Sequence, residues 1–391
     1  MKSYPFSRFK SMTIAVDASL ITHQTVIAMR STGKDLKNSR GELTSHLHGL
    51  FYKILIFAQN QMVPIFVFDG KAPKIKNKTI TKRRQQKEEA EKILEQLTDS
   101  EDEEYIKNFK QTFRPSKENM KEAQIMMDLM GIPYIVAPEE ADVVCSWLTS
   151  RSNSNGKKYA KGVCSDDSDM LAFGASYLFK DMLKFMSKNK PVTVINLKRT
   201  LEGLKLSYEQ FTDLCVLLGC DYCETIKNIG PKSAYKLLTK YGSLEDVVKV
   251  LRESKPDSVD AESIGCMTEA RNYFRNALAQ LDNSKDFTIT DNQLYLRQYQ
   301  YEELMDFMCV KHGFDAEKIQ KGVDRLKQYY QIMKVDRPNM SKVHKIMNRE
   351  QLDYNLKLAN GNFDFLPSDD EVENERRPSK KNSAVSLVRK P

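Results

Sequence analysis

Four short apolar runs in the first half of the chain each lead directly into acids, and this constrains the fold more than any other feature. Thr13-Ile14-Ala15-Val16 ends at Asp17, and Pro64-Ile65-Phe66-Val67-Phe68 ends at Asp69. Pro133-Tyr134-Ile135-Val136 is followed closely by Glu139, Glu140 and Asp142. Gly162-Val163-Cys164 runs into Ser165-Asp166-Asp167-Ser168-Asp169. The runs are strand-sized, and segments with helical spacing, such as Leu43–Ala58 and Glu118–Met130, separate them. Buried strands alternating with helices predict an α/β fold with a mainly parallel central sheet flanked by helices. Tyr177–Phe179 and Val192–Ile195 are candidate further strands.

In such a sheet the carboxyl ends of the strands converge on one edge, where ligands bind. Asp17, Asp69, Glu140, Asp142, Asp167 and Asp169 all fall at or just beyond a predicted strand end. Carboxylates gathered in a partly buried site repel one another and need cations to remain ionised. Oxygen donors with no nearby His or Cys favour hard ions, Mg²⁺ or Mn²⁺. Two such ions about 4 Å apart activate water and stabilise the leaving oxygen in phosphodiester cleavage. Any single acid of this set also fits a helix cap. Pattern alone does not separate Glu139 from Glu140, or Asp166 from Asp167.

Between Lys71 and Lys87 there are eight basic residues and no acid; Glu88–Glu104 then holds nine acids and one Lys. This charge segregation predicts a helix-rich insertion, with a solvated surface as its simplest reading. From Ser207 the chain reads as helical. Pro231 suits a first helical position, Gly242 a helix end, and Ser243-Leu244-Glu245-Asp246 a capping box. The tail from about residue 366 is acidic, then basic through Arg376, Arg377, Lys380 and Lys381, and has the composition of disorder. The net charge of +8 over 391 residues is compatible with a polyanionic partner. Seven cysteines, an odd number, point to reduced thiols and an intracellular setting; Cys220 and Cys223 form a lone C-x-x-C, read as buried thiols rather than a zinc site. No apolar run is long enough for a membrane span, and the N-terminus lacks a secretory pattern.

At these residues the sequence resembles the flap endonuclease branch of the XPG family of structure-specific 5′ nucleases. The matching strings are Val16-Asp17-Ala18-Ser19, Val67-Phe68-Asp69-Gly70-Lys71, Met130-Gly131-Ile132-Pro133-Tyr134 and Ala137-Pro138-Glu139-Glu140-Ala141-Asp142. Asp166-Asp167-Ser168-Asp169, Leu217-Leu218-Gly219-Cys220-Asp221-Tyr222-Cys223 and Ile229-Gly230-Pro231-Lys232 complete the set, which spans roughly residues 12 to 330. The resemblance implies a PIN-like nuclease core over 1–330, with a helical arch at about 71–117. It also implies a helical DNA-binding part at about 207–330, carrying a helix–two-turn–helix near 217–242. An extension follows over 331–391.

The resemblance adds Asp221 as a seventh metal ligand. It assigns Asp17, Asp69, Glu140 and Asp142 to one Mg²⁺, and Asp167, Asp169 and Asp221 to a second. Lys76 and Arg83 match arch residues that contact the scissile phosphate, where cations offset charge developing in the transition state. Arg30, His23, Lys117, Gly230 and Lys232 are implied DNA contacts, and a potassium ion is implied at the helix–two-turn–helix loop. The implied reaction is hydrolysis at the base of a 5′ flap in branched DNA, with accompanying 5′–3′ exonuclease action, in replication and repair. Recognition would be by shape, with strong salt dependence. A monomer is expected, nuclear if the source is eukaryotic.

The sequence departs from the family at several points. It begins Met1-Lys2-Ser3-Tyr4 where the family begins Met-Gly and a short apolar motif. His23 stands where the family has a Tyr that stacks on a base; Asn228 replaces the first Gly of Gly-Ile-Gly, and Asn tolerates a left-handed backbone. No clear sliding-clamp box of the Gln-x-x-apolar-x-x-aromatic-aromatic type is found. The competing readings are an exonuclease or junction-cutting relative, a DNA-binding scaffold without catalysis, and an RNA-cutting nuclease.

Overall fold

A computed structural model describes residues 1–335, apart from 39, 98, 101, 154, 186–189 and 255–259. The expected C-terminal extension beyond 335, its tail from 366, the basic cluster at Arg376–Lys381 and any clamp-binding segment there lie outside the described residues. A seven-stranded sheet forms the centre. Its strands are β1 (Lys2–Tyr4), β2 (Thr13–Asp17), β3 (Val63–Phe68), β4 (Tyr134–Val136), β5 (Val163–Cys164), β6 (Tyr177–Lys180) and β7 (Val192–Asn196). Their order is β1-β7-β6-β5-β2-β3-β4. β2 to β6 are parallel where they pair, and β7 runs antiparallel to both β6 and β1. The four acid-ending runs therefore all lie in the parallel part of the sheet, which β6 completes. The divergent N-terminus is an edge strand against Val192–Val194.

The chain adds β3 and β4 on one side of β2, then returns to place β5 and β6 on the other side. The reversal opens a crevice at the carboxyl end of β2, between connections leaving in opposite directions. Register sets the acids around it. Asp17 pairs with Val67, so Asp69 lies two residues further along the same edge; Val16 pairs with Cys164, so Asp167 emerges beside them.

Local signals place the helices. Ser116 and Asn119 cap the helix Lys117–Met130 reciprocally, and Ser207 and Gln210 do the same for Tyr208–Leu218. Gly131 ends the first of these at φ 70°, where an added Cβ would meet Arg297 O at 1.9 Å. Pro231 opens the helix Pro231–Tyr241, and Asn228 before it takes φ 66°. The expected box at Ser243 differs in one bond. Asp246 N donates to Ser243 Oγ (3.2 Å), but the Asp246 carboxylate accepts from the Ser243 hydroxyl (2.6 Å) rather than from a backbone N–H. Near the end of the described chain, a π-helical turn, Asp306–Lys311, separates the helices Tyr301–Met305 and Ala316–Ile332. Buried residues of the sheet (Ala15, Ile65, Val67) and of the later helices (Leu217, Leu238, Phe274) belong to one apolar core, so the helical part is packed onto the sheet.

The charged insertion forms two helices, Asn77–Leu94 and Glu103–Thr112. The charge reversal at Glu88 falls inside the first, which is basic toward its N-terminus and acidic toward its C-terminus. That is opposite to what the helix dipole favours. The i,i+4 pairs Arg84–Glu88 and Lys87–Glu91 offset part of this, and Lys78, Lys82 and Arg83 pair outside the helix with Glu262, Glu224 and Asp221.

Candidate active site

Each acid is held by the element that delivers it. Asp17 ends β2 and caps the helix Ala18–Met29, accepting from Leu20 N at 2.9 Å. Asp69 follows β3 and accepts from Ala141 N at 2.9 Å, tying β3 to the start of the helix Ala141–Ser150. Gly70 permits this closure. Its N–H donates to Glu139 O at 2.6 Å, and a Cβ there would sit 2.0 Å from Ala137 O. Glu140, only 4% exposed, precedes that helix and Asp142 lies in its first turn. After β5, Asp167 accepts from Asp169 N at 2.9 Å. Asp221 lies at the tip of a tight turn between Cys220 and Cys223, after the helix Tyr208–Leu218.

The seven acids form one electrostatic group. Burial and then the charge of Asp69 push the Asp17 carboxyl up to about 7, with Asp167 adding to the effect. Burial, then Asp17 and Asp167, raise Asp142 well above the carboxylate range, and Glu140 contributes. Burial, then Asp167 and Asp221, push Asp169 up to about 7. This is the response of a carboxylate cluster at which cations would be stabilising.

The neighbours that sequence could not separate now part company. Asp166 turns away: it accepts from Asp181 N (2.8 Å) and Gln24 Nε2 (3.0 Å) and pairs with Lys184 (2.7 Å). Burial alone would raise Asp166, but these partners hold its carboxyl below the usual range. Glu139 meets the Tyr273 hydroxyl at 3.4 Å. Both read as structural beside Asp167 and Glu140.

The insertion closes onto the acids. Lys76 Nζ contacts Glu140 and lies 3.1 Å from Asp221 Oδ2. Burial opposes its charge, yet Glu140 and Asp221 raise its pKa above the ordinary lysine value. Arg83 holds Asp221 at 2.7 Å, and the Thr79 hydroxyl donates to the Asp221 carbonyl. His23 is partly buried and stacks on Phe113 with ring centres 6.0 Å apart. Burial, then Arg114, Arg83 and Arg30, lower its pKa and so disfavour the imidazolium.

Arg30, expected as a DNA contact, is engaged within the chain in this structure. It is 7% exposed, forms two bonds to Asp35 (2.7 and 2.9 Å), and donates to Phe109 O and the Thr112 hydroxyl. Its guanidinium also covers the Phe109 ring. In this conformation it fastens the second helix of the insertion, Glu103–Thr112, to the core. Lys117 is exposed at the start of its helix, and Gly230 and Lys232 are exposed around the start of Pro231–Tyr241.

Sequence reasoning missed Tyr222 and Arg114. Tyr222 is buried, donates to Glu140 Oε2 and has Lys76 Nζ over its ring at 5.8 Å. It packs with Phe173, Tyr273 and Phe274 behind the site. Its position directly after Asp221 was the available signal. Arg114 was hidden because its proximity to His23 and Arg83 is tertiary.

Among the described residues, no three His, Cys, Asp or Glu side chains converge closely enough to ligate one ion as they stand. The donor set is nonetheless suited to hard cations: it is all oxygen, the Asp17, Asp142 and Asp169 carboxyls are pushed up by burial and then by neighbouring acids, and the Lys76 ammonium already serves as counter-cation between Glu140 and Asp221.

A mainly parallel α/β sheet with acids at its switch point, faced by a basic helix, is an arrangement suited to metal-dependent phosphodiester cleavage. Residues 1–90 match the XPG N-terminal domain and residues 131–221 the XPG I-region. Flap endonuclease 1 of Nematostella vectensis is 35% identical over 327 residues, covering 83% of this chain and 82% of that protein. The solved flap endonuclease-1 of Methanococcus jannaschii superposes with a TM-score of 0.61 at 27% identity, covering 85% of this chain and 96% of the other. The catalytic core of Rad2, solved in complex with DNA substrate, shares the fold at a TM-score of 0.57 and 22% identity, covering 83% of this chain and 95% of that one. The chain belongs to the XPG family and is a structure-specific DNA nuclease of the flap endonuclease 1 type.

Proposed function

We propose that the protein is a 5′ flap endonuclease, hydrolysing a phosphodiester at the base of a 5′ flap and removing 5′ nucleotides as an exonuclease. The observation that carries this reading is the contact of arch cations with the acid edge: Lys76 meets Glu140 and Asp221, and Arg83 meets Asp221. A phosphate drawn to that edge would replace the carboxylate partners of both cations.

Asp17, Asp69, Glu140 and Asp142 would hold one Mg²⁺ or Mn²⁺, and Asp167, Asp169 and Asp221 a second; the resemblance also assigns a potassium ion to the helix–two-turn–helix loop. When bound, the divalent ions supply an activated water and neutralise the phosphate. The chain's own groups do the rest. Lys76 and Arg83 bind the scissile phosphate and offset its developing charge. His23, stacked on Phe113, offers a flat face to a base. The exposed helix start at Gly230, with Lys232, holds a phosphate without reading sequence. The substrate is branched DNA, and binding weakens steeply with salt.

The test is a 5′-labelled double-flap DNA in Mg²⁺, beside a blunt duplex, a flap with a blocked 5′ end, and Asp167→Asn. One product near the flap base, lost in the variant and reduced by blocking, supports a threading flap endonuclease. A ladder from the duplex end would replace it with an exonuclease, and binding without cutting with a scaffold.

A further inference from the structure

The mechanism above leaves two thiols unused at its border. Cys220 and Cys223 flank the two-residue turn that carries Asp221 and Tyr222. They form an antiparallel bridge, Cys220 N donates to Cys223 O at 3.0 Å, and their Sγ atoms lie 3.5 Å apart in a thiol–thiol hydrogen bond. Opposed residues of this kind have Cα atoms about 5.5 Å apart, inside the roughly 4.4–6.8 Å span of disulfides. Cys220 is partly exposed and Cys223 buried, so an oxidant reaches one sulfur while the other waits behind it.

We propose that Cys220 and Cys223 are a reversible oxidation site, and that the disulfide closing across the turn turns the nuclease down. With a peroxide as oxidant, the Cys220 thiol takes one oxygen to become a sulfenic acid, and water leaves. The Cys223 sulfur then attacks the Cys220 sulfur; the S–S bond forms, the S–O bond breaks, and the thiol proton and hydroxide leave as a second water. Two thiols are oxidised by two electrons, and one peroxide is reduced to two waters. A dithiol reductant reverses the change by exchange. The ring closed is only four residues long and removes little chain entropy, so the disulfide is weakly stabilised and readily reduced.

The consequence follows from what the turn holds. Forming the bond brings the sulfurs from 3.5 Å to about 2.05 Å. Between them, Asp221 grips Arg83 and approaches Lys76, its carbonyl accepts from Thr79, and the Tyr222 hydroxyl donates to Glu140. Movement of this turn displaces one metal-site acid, the partner of another, and the arch base together. The functional half of the inference rests on the flap-nuclease reading; the thiol chemistry does not.

The full reduced chain is treated with hydrogen peroxide, alkylated, digested and weighed, and its flap cleavage is measured before and after dithiothreitol. The peptide carrying both cysteines is expected to lose two hydrogen atoms and resist alkylation. Cleavage should fall at least about tenfold and return on reduction, a loss typical of disturbed partners of metal ligands. Cys220→Ser should cut normally when reduced and be insensitive to peroxide. A link to Cys215 or Cys266 instead, no link at all, or a link with unchanged cleavage would overturn the proposal. If the reduced protein does not cut flap DNA, that failure belongs to the flap reading. The switch is then read from the rise in Tm caused by Mg²⁺, which oxidation must reduce, and an unchanged rise overturns it.

Discussion

One guanidinium nitrogen of Arg83 lies 2.7 Å from Asp221 Oδ1 and 3.0 Å from Oδ2, so the charged insertion and the acid edge are joined directly. Arg83 is half-exposed and its pairing is open to exchange. A phosphate can therefore take the place of the Asp221 carboxylate on Arg83. Arg83→Ala should lower single-turnover flap cleavage by about two to three orders of magnitude, the usual cost of losing one donor to a developing oxyanion. The equilibrium affinity for the same flap in Ca²⁺ should change far less. A variant that cuts normally would remove Arg83 from the reaction.

Arg30 makes a different prediction from the one its sequence position suggests. Its guanidinium is buried against Asp35, Phe109 O and Thr112, so truncation leaves Asp35 without its partner. Arg30→Ala should cost about 3–5 kcal/mol of stability, as breaking a buried pair does. Urea unfolding measures this directly. A variant with wild-type stability but lost flap binding would show that Arg30 leaves its pocket to meet DNA.

The raised carboxyl of Asp17 gives a pH prediction with a definite sign. Its folded pKa is pushed to about 7 by burial and Asp69, whereas an unfolded Asp titrates near about 3.9. Between those values the metal-free folded protein holds a proton that the unfolded chain has released. This contribution to stability is fully present below about 3.9 and is lost as pH rises through about 7. Asp17→Asn keeps a helix-capping side chain without the charge. In EDTA its Tm should exceed that of the wild type by a margin that widens across this window, and saturating Mg²⁺ should shrink the margin. A margin independent of pH would show that ionised Asp17 does not burden the fold.

These sites differ in how legible they were. The strand-end acids could be read because a short apolar run and the residue that ends it are local, and a parallel sheet brings such ends together by topology. Asp221 follows a helix, so only its resemblance to a family motif marked it. Arg30's contacts with Phe109 and Thr112 could not be read because those residues stand 79 and 82 positions away. Asp166 and Asp167 were inseparable because the choice lies with Gln24, 142 residues distant from Asp166, and with Lys184. The charge segregation of the insertion reads most simply as a solvated surface; that its first helix is charged against its own dipole is visible only once the bounds Asn77–Leu94 are known.

Tyr222 supplies the last prediction. Its hydroxyl donates to Glu140 Oε2 while Lys76 contacts Oε1, so the two oxygens of one carboxylate are held by different elements. A phenylalanine keeps the ring packed against Phe173, Tyr273 and Phe274 and removes only the donor. Without it Glu140 keeps its charge and its lysine but loses its fixed orientation. Partners of this kind usually alter metal affinity by about 10–100-fold. Tyr222→Phe should therefore shift the Mg²⁺ dependence of flap cleavage to higher concentration, with a maximal rate close to that of the wild type at saturation. A lowered maximum with an unchanged Mg²⁺ midpoint would place Tyr222 in the chemical step instead.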